Sequence, residues 1–108
     1  MIVSTITGDT SVVIRPRGDI DDHTLPTLTA AFEALPSATT HVTWDLHDIH
    51  FMDVAGLHLL IDQRRACQET GRTLTVTGLP GQTQRLLRLA EELFPAGAWH
   101  DFVTEPAA

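Results

Sequence analysis

Histidines and carboxylates crowd the middle of the chain, in His47-Asp48-Ile49-His50-Phe51-Met52-Asp53 with His58 beyond, and these residue types commonly hold metals. The spacing argues against a metal. His47 and His50 form an H-x-x-H pair on a loop, without the helical i, i+4 spacing that converges two imidazoles on zinc, and His58 follows a turn. Solvated histidines are expected there. Paired carboxylates occur in Asp19-Ile20-Asp21-Asp22 and in Asp45 with Asp48, and such pairs can divide acid and base roles. Loop and capping duty explains them more simply. The serines, Ser4, Ser11 and Ser37, lie outside any G-x-S-x-G elbow, and Cys67 falls on the apolar face of a helix, where it packs rather than attacks. No enzyme, cofactor or metal site is expected.

The segment Phe51-Met52-Asp53-Val54-Ala55-Gly56-Leu57 turns a strand into a helix over a loop that would suit an anion. Asp53 can accept amide hydrogen bonds at the helix start, a cap worth about 0.5 to 2 kcal/mol. Gly56 lets a backbone pass closely or relieves the first turn. A phosphoacceptor role for Asp53, as in receiver domains, needs a lysine late in the chain. There is none: all seven basic residues are arginines, Arg15, Arg17, Arg64, Arg65, Arg72, Arg85 and Arg88. The same absence removes a Schiff-base nucleophile and a Walker-type phosphate lysine.

These residues must be held by a small set of elements. Met1 to Thr7 and Ser11 to Arg17 read as two strands joined by a Gly8-Asp9 turn, hence a hairpin. Thr24 can cap a helix carrying Leu25, Leu28, Phe32 and Leu35, with Pro26 tolerated in its first turn and Pro36 stopping it. His41 to Leu46 alternates, placing Val42, Trp44 and Leu46 on one face and His41, Thr43 and Asp45 on the other. A second helix starts near Ala55, with Leu57, Leu60, Ile61 and Cys67 on one side and His58, Asp62, Arg65 and Glu69 opposite, ending at Gly71. That outer face can form a ladder of ion pairs or dock a partner. Arg72 to Thr77 supplies a strand, and a third helix runs from about Gly81 to Leu93 with Leu86, Ala90 and Leu93 inward. Trp99 to Val103 adds a last short strand.

Strands and helices alternating at this spacing predict an α/β fold with right-handed crossovers and a sheet that is parallel after its opening hairpin. A chain of 108 residues, 43% hydrophobic, makes a single domain over residues 1–104 with a loose tail at 105–108. The formal charge of -7 disfavours nucleic acid and anionic membrane surfaces as partners. The longest apolar runs fall far short of the roughly 18 to 20 residues of a membrane span. With one cysteine and no charged leader, a cytoplasmic protein is expected.

Gly18-Asp19-Ile20-Asp21-Asp22-His23-Thr24, the helix to Leu35, Val42-Thr43-Trp44-Asp45-Leu46 and Ile49-His50-Phe51-Met52-Asp53-Val54-Ala55-Gly56-Leu57 together resemble the blocks of the STAS domain, found in sulfate transporters and anti-sigma factor antagonists. In particular, it is similar to stand-alone bacterial anti-anti-sigma factors. The resemblance implies a mixed sheet of four or five strands with about three helices mainly on one side, and an anti-sigma factor, often a serine kinase, as partner. It also implies that Asp21 and His23 lie near the partner surface, and the docking reading of the second helix's outer face adds Asp53, Val54, Ala55, Gly56, His58 and Asp62 as partner contacts.

Where the family pattern runs Asp, Ser or Thr, a small residue, Gly, Leu, this chain has Asp53, Val54, Ala55, Gly56 and Leu57. Val54 stands at the phosphorylated hydroxyl and has no oxygen to accept phosphate. Residues 50–60 hold no hydroxyl side chain at all, so no phosphorylation switch is expected at this loop. Two other functions stay open: an adaptor STAS subunit of a larger signalling or transport assembly, and a sensor of a small anion or nucleotide at the start of the second helix.

Overall fold

The computed structural model describes residues 1–79 and 81–93, and the strand expected at Trp99 to Val103 and the tail at 105–108 lie outside them. The inward side chains expected of Leu86, Ala90 and Leu93 are also outside the described set. Eight elements follow in order: β1 (Ile2–Thr7), β2 (Ser11–Ile20), α1 (Leu25–Glu33), β3 (His41–Asp45), β4 (Ile49–Met52), α2 (Val54–Thr70), β5 (Thr73–Thr77) and α3 (Gly81–Leu93). The β1–β2 hairpin is antiparallel, and β2 then pairs in parallel with both β3 and β4, while β3 pairs in parallel with β5. The expected mixed α/β sheet is present, with five strands.

One strand comes from a segment that reads as loop. The His47–Asp53 stretch holds β4, whose burial runs buried, exposed, exposed, buried rather than alternating. The cause is an extra residue on β4: Gly18 pairs with Ile49 and Asp19 with Phe51, leaving His50 unpaired, and Gly18 opposite takes a positive φ of 121° that side-chain-bearing residues rarely adopt. β2 thereby serves two neighbours along its length, β3 up to Ile14 and β4 from Gly18. Pro16 lies between these two ladders, where its missing N–H costs no strand pairing.

Alternation elsewhere sorts the sheet into two faces. Val12, Ile14, Ile20, Val42, Trp44, Leu46 and Val76 are buried and share one apolar cluster with Leu28 of α1 and Leu57, Leu59, Leu60 and Cys67 of α2. Both helices therefore cover this side. The other face carries Val13, Arg15, Arg17, Thr43, Asp45, Thr73 and Thr75, none of them buried.

On that open face Arg15 Nε donates to Asp45 Oδ2 at 3.1 Å, and His47 Nδ1 lies 2.6 Å from Asp45 Oδ1. Partial burial works against ionisation of Asp45. Hydrogen bonds from the His47 ring and backbone and from Arg15 outweigh it and hold the carboxyl below its ordinary value. Burial pushes the Cys67 thiol the other way, up, with nearby Arg72 opposing, which fits a packing residue rather than a nucleophile.

Gly71, left-handed at φ 73°, ends α2 as expected. Arg72 then straps the fold together: its side chain donates to Thr39 O and Pro36 O, and its guanidinium lies 5.9 Å from the centre of the Phe32 ring.

Candidate functional site at the carboxyl ends of β2 and β4

Parallel pairing of Ile20 with Met52 brings the loop after β2 beside the loop after β4. The Asp53 N–H donates to Ile20 O at 3.2 Å, tying them directly. Crevices at the carboxyl ends of parallel strands are the usual binding places of open α/β sheets.

Asp53 is the N-cap of α2: it is extended at φ -98° and ψ -170°, and its Oδ1 accepts from the N–H groups of Ala55 at 2.9 Å and Gly56 at 3.4 Å. Its negative charge complements the positive helix end. The helix begins at Val54, one residue before the expected start at Ala55. Val54 projects outward and is 55% exposed, a large apolar side chain at the first helical position. Ala55 is half-buried and Gly56 buried. A Cβ on Gly56 would overlap Met52 Cγ and come within 3.1 Å of Ile20 Cγ2, so this glycine lets α2 close on the strand ends.

Across the crevice Asp21 organises the start of α1. Its Oδ1 accepts from His23 N at 2.9 Å and Thr24 N at 3.1 Å. The cap expected of Thr24 is reversed. Thr24 is helical at φ -94° and ψ -13° and makes no side-chain cap; instead its hydroxyl accepts from Asp21 N and donates to Asp19 O. His23 stands exposed, with Nε2 3.9 Å from Asp22 Oδ1 in a solvated pair that contributes little.

His58 and Asp62 are exposed on α2. Among the described residues no ion pair joins His58, Asp62, Arg65 and Glu69, so the outer face of α2 is not the internally paired ladder its spacing allows. Asp62 belongs to a second feature, a groove between α1 and α2 of about 320 Å³ lined also by Thr29, Phe32, Glu33, Leu59 and Gln63. The structure thus gathers Asp21, His23, Asp53, Val54, Ala55 and Gly56 at the strand ends and sets Asp62 apart.

Two neighbours of the site escape the sequence reading. Phe51 is 47% exposed, two residues before Asp53, and the bulge at His50 breaks the alternation that would have shown its side. Gln82, in the first turn of α3, donates from Nε2 to Met52 O at 3.2 Å, a long-range bond with no sequence signal. His47 faces Asp45 and Asp48, and no group of three or more His, Cys, Asp or Glu side chains among the described residues is arranged to hold a metal ion.

Chemically the site offers an apolar side chain beside a capped helix start. The Ala55 and Gly56 amides at the helix start are already bonded to Asp53, whose carboxylate repels an anion.

A profile of the STAS domain matches residues 1–94, and the chain belongs to that family. Its fold is similar to that of the anti-sigma factor antagonist SpoIIAA in its unphosphorylated form, at 19% identity over 82% of this chain and 83% of that one, TM-score 0.67. An anti-sigma factor antagonist from Mycobacterium paratuberculosis is similar at 24% identity over 87% and 82% of the two chains, TM-score 0.65. A sulfate transporter family protein from Wolinella succinogenes is similar at 12% identity over 90% and 79%, TM-score 0.69. No curated protein matches this sequence. No helix among the described residues is long and apolar enough to cross a membrane.

Proposed function

We propose that this chain is a non-enzymatic, cytoplasmic protein-binding module that captures an anti-sigma factor or a related serine kinase, and that it does so without a phosphorylation switch at its α2 loop. The observation that carries the reading is Val54, more than half exposed at the first position of α2, immediately after the capping Asp53. A central contact depleted in charge favours an apolar side chain. Phosphate added there would bring repulsion and a desolvation cost to a docked surface, and valine admits none. Asp21, His23 and His58 form the polar surround of this contact with Ala55 beside it, while Gly56 acts from beneath by setting the helix position.

The likeness to SpoIIAA, described in both unphosphorylated and phosphorylated forms, supports an antagonist of the same general kind. The test is affinity capture from extract of the native cell with the wild-type chain as bait. Recovery of an anti-sigma factor or serine kinase is expected; recovery of neither removes the reading. Phosphate found within residues 50–60 after incubation with that kinase would remove the switchless part of it.

A second reading, an adaptor subunit of a larger assembly, is favoured by the likeness to a sulfate transporter family protein. Co-purification of stoichiometric subunits of a transport or signalling complex, in place of an anti-sigma factor, distinguishes it. The anion-sensor reading is the weakest, since Asp53 occupies the helix-start amides. Stabilisation by nucleotide in a thermal-shift screen would revive it.

A further inference from the structure

β1 lies at one edge of the sheet, and no strand pairs with its outer side among the described residues. Soluble proteins blunt such edges with lysine, proline, bulges or inward charge. Ile2-Val3-Ser4-Thr5-Ile6-Thr7 has none of these, its pairing with β2 is unbroken, and every residue except Val3 is exposed. The opposite edge differs. On the open face β5 presents only Thr73, Thr75 and Thr77, whereas β1 presents Ile2 and Ile6, 65% and 54% exposed, around Ser4.

The hairpin fixes which backbone groups of β1 point outward. The Gly8 N–H donates to Ser11 O, and bonded and non-bonded pairs alternate along an antiparallel ladder. Ile6, Ser4 and Ile2 therefore direct their backbone groups to β2, and Val3, Thr5 and Thr7 direct theirs away from it. The pairing of Val3 with Pro16, which has no N–H to give, agrees with this phase.

We propose that two copies of this chain pair antiparallel along β1, about a two-fold axis at Ser4, merging their sheets. A shared sheet requires opposed residues to lie on the same face, so even positions meet even and odd meet odd. With the axis at Ser4, Ile2 opposes Ile6 of the second copy, Val3 opposes Thr5, and Ser4 opposes Ser4. Val3 and Thr5 are then the pair that exchanges backbone bonds, using the groups that face outward. Ile2 and Ile6 fall in the close, non-bonded pairs and, with Val13 beside Ile6, form an apolar row across the junction. An axis at Thr5 would instead set Ile6 against Ser4 and leave Ile2 opposite Gly8. Charge also permits the contact: residues 1–18 contain Asp9, Arg15 and Arg17 as their charged side chains, so the acidic excess of the chain lies elsewhere.

Sedimentation velocity of the full chain over a concentration series, beside oxidative cross-linking, tests this arrangement. The wild type is expected to show a monomer–dimer equilibrium. Ile6→Lys should weaken the dimer about tenfold or more, and Thr73→Lys on the other edge should leave it unchanged. Opposed Cα atoms in a non-bonded pair are about 4.5 Å apart, within disulfide reach. Ser4→Cys should therefore cross-link readily under mild oxidation and Thr5→Cys poorly, the native Cys67 being buried. A wild type that stays monomeric throughout, a folded Ile6→Lys that associates as well as wild type, or equal cross-linking of Ser4→Cys and Thr5→Cys would each overturn the proposal.

Discussion

At Val54 a single side chain changes what the loop can do. Serine or threonine there could be both a contact and a phosphate acceptor; on the proposed reading valine would keep the contact, and it removes the acceptor. The neighbouring Gly56 has a different job. Any Cβ at that position meets Met52 Cγ, within the packing of α2 on the β2 and β4 ends. Gly56→Ala is expected to destabilise the fold by about 1 to 3 kcal/mol, the usual cost of overpacking, despite the better helix propensity of alanine. Urea unfolding checks this; a variant as stable as wild type would mean that α2 has room to shift. Val54→Ser, at an exposed position, should leave stability within about 0.5 kcal/mol of wild type. Incubation with a captured serine kinase should then give phosphate on the variant and none on the wild type, read by mass spectrometry.

Among the elements, those with regular periods were legible: the hairpin, the alternating β3, the α2 face through Leu57, Leu60 and Cys67, and the stop at Gly71. β4 was not, because the extra residue His50 breaks its alternation against β2, and its histidine drew attention as a ligand instead. The start of α1 was half legible. Asp21 and Thr24 are capping residues by type, but which accepts and which donates depends on backbone angles that composition does not fix. Of the site, the α2 loop was readable from residue order, whereas the approach of Asp21 to Asp53 depends on β2–β4 pairing.

Between elements, Asp45 ties β2 to β3 through Arg15 on the open face and holds the following turn through His47. Its carboxyl titrates below its ordinary value in the folded chain, so the unfolded chain binds more protons between the two values. The stabilisation is complete above the unfolded value near 3.8 and is lost as pH falls through the depressed folded one. Asp45→Asn should cost about 1 kcal/mol at neutral pH, and its stability should converge on that of wild type in acid. Equal stability of the two proteins at neutral pH would show that the charge on Asp45 contributes nothing.

For the whole molecule, the sheet has one face committed to the core, an open face of mixed character, and strand ends that gather two loops around Val54. The acidic balance suits a partner with a complementary basic rim, which would speed encounter, while the apolar centre would set how long the complex lasts. Association along β1 would present two such loops together and raise avidity toward a dimeric partner without any new contact. The measurement that reaches Val54 most directly is the affinity of the captured partner for wild type and for Val54→Asp, with folding of both checked by circular dichroism. A carboxylate forced into the docked centre should weaken binding about tenfold or more. Unchanged affinity in a folded variant would place the partner surface elsewhere on the chain.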